Sequence, residues 1–85
     1  MQTTEKITLT FHLHGPLRKI GDKIPLQFPQ GISTAEALAN FFTHYPKFAD
    51  WQNVTRCAMD MEYLSTNHQF ETNVEIHLIP PVSGG

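Results

Sequence analysis

The residues best equipped for chemistry are the last two, Gly84 and Gly85. Glycine carries no side chain, so this dipeptide is the slimmest backbone a protein can present. A narrow channel in another protein could admit it where bulkier residues would jam. The carboxylate on Gly85 sits on an unhindered carbon, and nothing near its carbonyl shields it from a nucleophile. Pro80 and Pro81 favour an extended exit from whatever precedes them. Fully extended, Pro81, Val82, Ser83, Gly84 and Gly85 would reach about 17 Å. The competing explanation is a frayed end of small residues, or a cloning remnant, with no role of its own.

Other chemistry-bearing residues converge less. His12, His14 and His77 share the outward parity of two strand-like runs, but histidines on a solvated strand face are common, and a metal needs three or four ligands in defined geometry. No metal site is expected. His44 and His68 fall at a helix end and a loop tip. Asp60 and Glu62 share a strand parity, with no histidine, serine or lysine to make them a catalytic pair. Glu71 and Glu75 flank the last strand and suit a basic partner surface or plain solvation. The single cysteine, Cys57, excludes an internal disulfide and reads as a small buried hydrophobe. The glycines at 15, 21 and 31 are too scattered for a phosphate-binding loop. By elimination, the chain has no self-contained catalytic apparatus.

The elements that must hold the Gly-Gly end can be read from periodicity. Ile7, Leu9, Phe11 and Leu13 alternate with Thr8, Thr10, His12 and His14, the period of a half-buried strand. Gly15-Pro16 and Gly21-Asp22 mark turns, and a second strand covers 23–28, with Ile24, Leu26 and Phe28 on one face. Pro25 cannot donate to a ladder, which places this strand at a sheet edge. Ser33-Thr34-Ala35-Glu36 is a capping-box pattern opening a helix that runs to about His44 or Tyr45, ahead of Pro46. Its buried stripe reads as Ala35, Leu38, Ala39 and Phe42, widened by Phe41 and Tyr45. Residues 46–53 look irregular, with Phe48 and Trp51 folding back onto the core. Residues 54–64 read as a strand and a short return, and Val74, Ile76 and Leu78 belong to a final strand running into the proline pair.

Eighty-five residues make one small domain, and 16% charged residues at a net charge of −2 show no basic patch for nucleic acid. No signal peptide or long apolar run is present, so a cytoplasmic chain with no membrane partner is expected. The element order predicts an α+β fold: a mixed sheet of four to five strands with one main helix on one face, the first and last strands central and parallel. Residues 1–80 would form the domain and 81–85 a flexible tail.

Leu78-Ile79-Pro80-Pro81-Val82-Ser83-Gly84-Gly85 resembles the ending of molybdopterin synthase small subunits, sulfur carriers of the ubiquitin-like β-grasp fold. Length, element order and the Ser-Thr-Ala-Glu-Ala-Leu helix start agree with that family. The resemblance implies that an adenylating, ubiquitin-activating-like enzyme uses ATP to activate Gly85, and that a sulfur donor system converts it to a thiocarboxylate. The charged tail would then give sulfur to a cyclic pyranopterin inside the large synthase subunit, in a heterotetrameric complex. It further implies that Gly85 is the reactive residue and that no cofactor is bound by this chain. Pro80, Pro81, Val82, Ser83 and Gly84 would thread the partner's channel, with Leu78 and Ile79 at the partner interface. The chain departs from the family at Glu71-Thr72-Asn73, where a glycine-containing turn is usual, and at Met59-Asp60-Met61, where an asparagine is common. Two alternatives stay open: a sulfur carrier for thiazole, thionucleoside or tungsten-pterin synthesis, and a β-grasp interaction module whose Gly-Gly is incidental.

Overall fold

The computed structural model describes residues 5–81. Strand β1 (Lys6–Leu13) is followed by a 3-10 segment (Gly15–Lys19), strand β2 (Lys23–Pro29) and helix α1 (Thr34–His44). A second 3-10 segment (Pro46–Trp51), β3 (Arg56–Met59), β4 (Glu62–Tyr63) and β5 (Val74–Ile79) complete the order. The five strands form one sheet in the order β2-β1-β5-β3-β4. β1 and β5 pair in parallel, from Leu9 opposite Val74 to Leu13 opposite Leu78. The other ladders are antiparallel. The sheet is mixed, its first and last strands are adjacent and parallel, and β2 lies at an edge, as the pattern and Pro25 predict.

The period of two in β1 separates the two faces cleanly. Ile7, Leu9, Phe11 and Leu13 are buried, while the residues between them are not. β5 repeats this with Ile76 and Leu78, both fully buried. Helix α1 lies over that apolar face. Phe41 packs 4.9 Å from Phe11, ring centroid to centroid, and Phe11 meets Phe28 edge-on at 6.0 Å. Burying such side chains contributes roughly 1.5–3 kcal/mol each, so this single layer supplies most of what holds a domain of this size together.

The capping box forms as expected: Ser33 Oγ accepts from the Glu36 amide, and the Glu36 carboxylate accepts from the Ser33 amide, both at 3.1 Å. The buried stripe, however, is rotated from the sequence expectation. Thr34, Ala37, Leu38, Phe41 and Phe42 face inward, Ala39 is half-buried and Ala35 is exposed. The loop before β5 sets this rotation. The amides of Thr34 and Ala35 donate to the carbonyls of His68 and Thr66, and Thr34 is buried beneath that loop. Phe41 therefore occupies the centre of the stripe rather than its margin. Phe70 anchors the same loop, fully buried, with its amide donating to Ile32 and its carbonyl accepting from Gly31. Phe48 and Trp51 fold back against the core, as expected. Among the described residues no helix is long and apolar enough to cross a membrane.

Candidate functional site

β5 is hydrogen-bonded on both sides, by β1 and by β3, so the chain leaves from the middle of the sheet. At its end Leu78 lies between Leu13 and Cys57 and is fully buried, whereas Ile79 pairs with Arg56 and is half-buried. The two residues expected at a partner interface thus divide: Leu78 spends its side chain in the core, and Ile79 keeps part of its side chain at the surface. The reason is the strand's alternation, which sends neighbours to opposite faces.

Pro80 is buried and Pro81 is exposed. Gly15 makes the seat for Pro80. It adopts a left-handed φ of +57°, and a Cβ there would come within 3.1 Å of the Pro80 ring. A side chain at position 15 would be strained by its backbone and would press on the Pro80 ring. Val82, Ser83, Gly84 and Gly85 lie outside the described residues.

Among the described residues, no helix or strand packs over the sheet face away from α1, and the register places a single row across all five strands. Lys23 is opposite His12, His12 opposite His77, His77 opposite Ala58, and Ala58 opposite Tyr63. His12 Nε2 lies 2.5 Å from Glu75 Oε1, and His14 Nε2 lies 2.8 Å from His77 Nδ1, so one imidazole donates to the other. The rings of His12 and His77 stack at 4.7 Å. The hydrogen bond from His12 and its charge hold the Glu75 carboxyl below its usual range. Partial burial, then the neighbouring His12 and His14, hold His77 below the ordinary imidazole value, which favours its neutral form. Among the described residues no group of three or more histidine, cysteine or acidic side chains is arranged to hold a metal ion.

Beside this row lies an apolar patch. Met61 is 100% exposed, Tyr63 59% and Val54 48%, and all three line shallow hollows shared with Ile79. Arg56 lies over the Tyr63 ring, 4.7 Å from its centroid, a cation–π contact that fixes both side chains. Met61 is displayed by a two-residue hairpin turn in which Asp60 and Met61 both have positive φ, 54° and 67°. That is the type I′ geometry, which normally selects glycine or asparagine. Cys57 is buried, and burial pushes its thiol up to about 12. It stays protonated and carries no nucleophile, in keeping with its reading as a small core residue.

The sequence expectation placed chemistry on the tail and direction on the prolines. It missed Gly15, whose role depends on a contact 65 residues away in sequence, and the Val54–Met61–Tyr63 patch. The parity of His12, His14 and His77 signalled their common face, but only the β1–β5 register shows that two of them share a hydrogen bond.

Residues 12–85 match the ThiS family. The chain belongs to that family. Among curated proteins, the molybdopterin synthase sulfur carrier subunit of Dictyostelium discoideum is 36% identical over 67 residues, covering 75% of this chain and 78% of the relative. This ThiS-family chain is therefore a homologue of molybdopterin synthase small subunits, as its ending and helix start suggest. Solved structures agree on the fold. A ubiquitin of Caldiarchaeum subterraneum superposes with a TM-score of 0.69 at 11% identity, covering 95% of this chain and all of the other. A chain from the complex of subunits 1 and 2 of the molybdopterin-converting factor of Helicobacter pylori gives 0.65 at 19% identity, covering 93% and 100%. The architecture is the ubiquitin-like β-grasp.

Proposed function

We propose that this chain is the sulfur-carrying small subunit of a molybdopterin synthase and that Gly85 is the residue that bears the sulfur. The observation that carries this reading is the match to the ThiS family through the terminal Gly-Gly, joined to a relative named as the sulfur carrier of that synthase. The geometry is suited to the task. A strand bonded on both sides ends in a buried proline, and the residues beyond it start from a rigid base.

In the proposed cycle a Gly85 carboxylate oxygen attacks the α-phosphate of ATP in the activating enzyme, and pyrophosphate leaves. The acyl-adenylate replaces a poor leaving group with a good one. A hydrosulfide-level sulfur from the donor system attacks the acyl carbon and displaces AMP, giving the thiocarboxylate with no change of oxidation state. In the large synthase subunit the thiocarboxylate sulfur attacks a carbon of the cyclic pyranopterin and displaces the oxygen substituent there. Water then cleaves the acyl–sulfur bond, which regenerates the carboxylate and leaves the sulfur on the pterin, so two charged carriers are consumed per dithiolene. In this cycle the partner's pocket surrounds the acyl carbon and supplies the electrostatics of the transfer. The Dictyostelium relative favours the pterin route over thiazole or thionucleoside synthesis.

Intact mass spectrometry tests this reading. Incubation with ATP, the activating enzyme and a sulfur donor should exchange one oxygen for sulfur at Gly85. No exchange, beside a working control carrier, would overturn it.

A further inference from the structure

The protein is acidic overall, at −2, yet its open sheet face is not. By register, the rows nearest the end of β5 hold Lys23 on β2, His12 and His14 beside or on β1, His77 on β5, Arg56 on β3 and Tyr63 on β4. The single carboxylate among them is Glu75, already engaged by His12. Lys23 and Arg56 thus stand as exposed cations at either side of the row. Glu5, Asp22, Asp50 and Glu71 lie off the strands, Glu36 is on the helix and Asp60 is in the β3–β4 turn, while Glu62 on β4 pairs with Met59 and so falls on the opposite parity to Tyr63. This face adjoins the exposed Met61, Tyr63 and Val54, the apolar, aromatic and methionine side chains that anchor protein interfaces. A patch of mixed apolar and cationic character is complemented by a partner that brings apolar contact and carboxylates.

The histidines add a second property. His14 and His77 face each other nitrogen to nitrogen at 2.8 Å. Such a pair can keep its hydrogen bond with no added proton or with one, but not with two. The groups facing it are His12 and Glu75, with Lys23 beyond them on the neighbouring strand and Arg56 and Tyr63 on the other side. In the free chain their balance favours a neutral His77. A carboxylate arriving from outside would reverse that balance, because an added negative charge stabilises imidazolium.

We propose that the open face between Lys23 and Arg56 seats a carboxylate-bearing patch of the large synthase subunit, and that seating it loads a proton onto the His14–His77 pair. This rests on the carrier reading above and adds to it the chemistry of the docking surface and a proton coupled to docking.

The test is titration calorimetry of the full chain against its own organism's large subunit, near neutral pH, in two buffers of different ionisation enthalpy. The apparent enthalpy should differ between buffers, giving proton uptake of up to about one per complex, and the affinity should rise as the pH is lowered toward 6. His77→Gln should abolish both the uptake and the pH dependence. Lys23→Glu and Arg56→Glu, both at exposed positions, should each weaken binding by about tenfold or more and flatten its salt dependence, with unchanged circular dichroism. Wild-type binding with no proton uptake, and charge reversals within about twofold, would overturn this inference and leave the carrier reading intact. No complex with the wild-type chain would overturn both. Self-association of the free chain that the same reversals abolish would assign the face to a second copy and overturn the proposal.

Discussion

The two faces of the one sheet are built from alternate residues of the same strands, and they behave as different materials. Beneath α1, Leu9, Phe11, Ile76 and Leu78 are fully buried among phenylalanines. On the opposite face the intervening residues are Thr8, Thr10, His12, Glu75, His77 and Ile79, none of them fully buried. One face holds the fold and the other remains available, so residues adjacent in sequence carry unrelated duties. Leu78 and Ile79 show this most sharply. A substitution at the first should act on stability, and one at the second on association. A domain this small can leave one sheet face open because its stability comes almost wholly from a single apolar layer.

Substitutions on each face test this division. The largest effect is expected for Phe41→Ala, which empties the centre of the covered face. It should cost about 3–5 kcal/mol of unfolding free energy in denaturant titration, and a loss below about 1 kcal/mol would show that the layer is not the main support. Gly15→Ala comes next. Its left-handed backbone and its approach to Pro80 predict a loss of about 1–2 kcal/mol and slower sulfur transfer, since the base of the tail would shift. Met61→Gly should go the other way on the open face. Relief of the positive φ at Met61 should raise stability by up to about 1 kcal/mol, while the loss of an exposed side chain should weaken partner binding. Both changing in the same direction would contradict the separation of the faces.

The smallest expected effect is of pH. His77 titrates below its ordinary value in the folded chain, so the unfolded chain binds its proton first as the pH falls. Its contribution is fully present above about 6.5 and is lost as the pH drops from there through the folded value. The melting temperature should therefore decline from pH 7.5 to pH 5.5, and His77→Gln should make that decline shallower. Glu75, held low by His12, contributes above the ordinary carboxyl range and loses its part at more acidic pH. An identical decline in wild type and His77→Gln would show that the cluster is not coupled to the fold.

Much of this organisation was legible in the residues themselves. Strict alternation in β1 and β5, Pro25 at an edge, the Ser33–Glu36 capping box and the Gly-Gly ending each express a local physical rule, and each led to the correct element or family. What local rules cannot carry is how elements rotate and meet. The helical period alone puts the stripe on Ala35, whereas its rotation is set by hydrogen bonds to the carbonyls of Thr66 and His68, some thirty residues away. Phe70 sits in a loop with no periodicity to announce its burial. Gly15 looks like any turn glycine until Pro80 is seen against it. The interface expectation for Leu78 and Ile79 follows from the family resemblance of the ending, which does not distinguish the two faces of the strand, whereas the alternation of Val74, Ile76 and Leu78 points Leu78 to the core.

The central claim is that sulfur leaves this protein from its last residue. The most direct test is a single turnover: thiocarboxylated chain, large subunit and cyclic pyranopterin are mixed, and the intact mass of the chain is followed alongside dithiolene formation. Two thiocarboxylates should revert to carboxylate for each dithiolene formed. Product formed while the chain keeps its sulfur, or from a chain extended by one residue beyond Gly85, would contradict it.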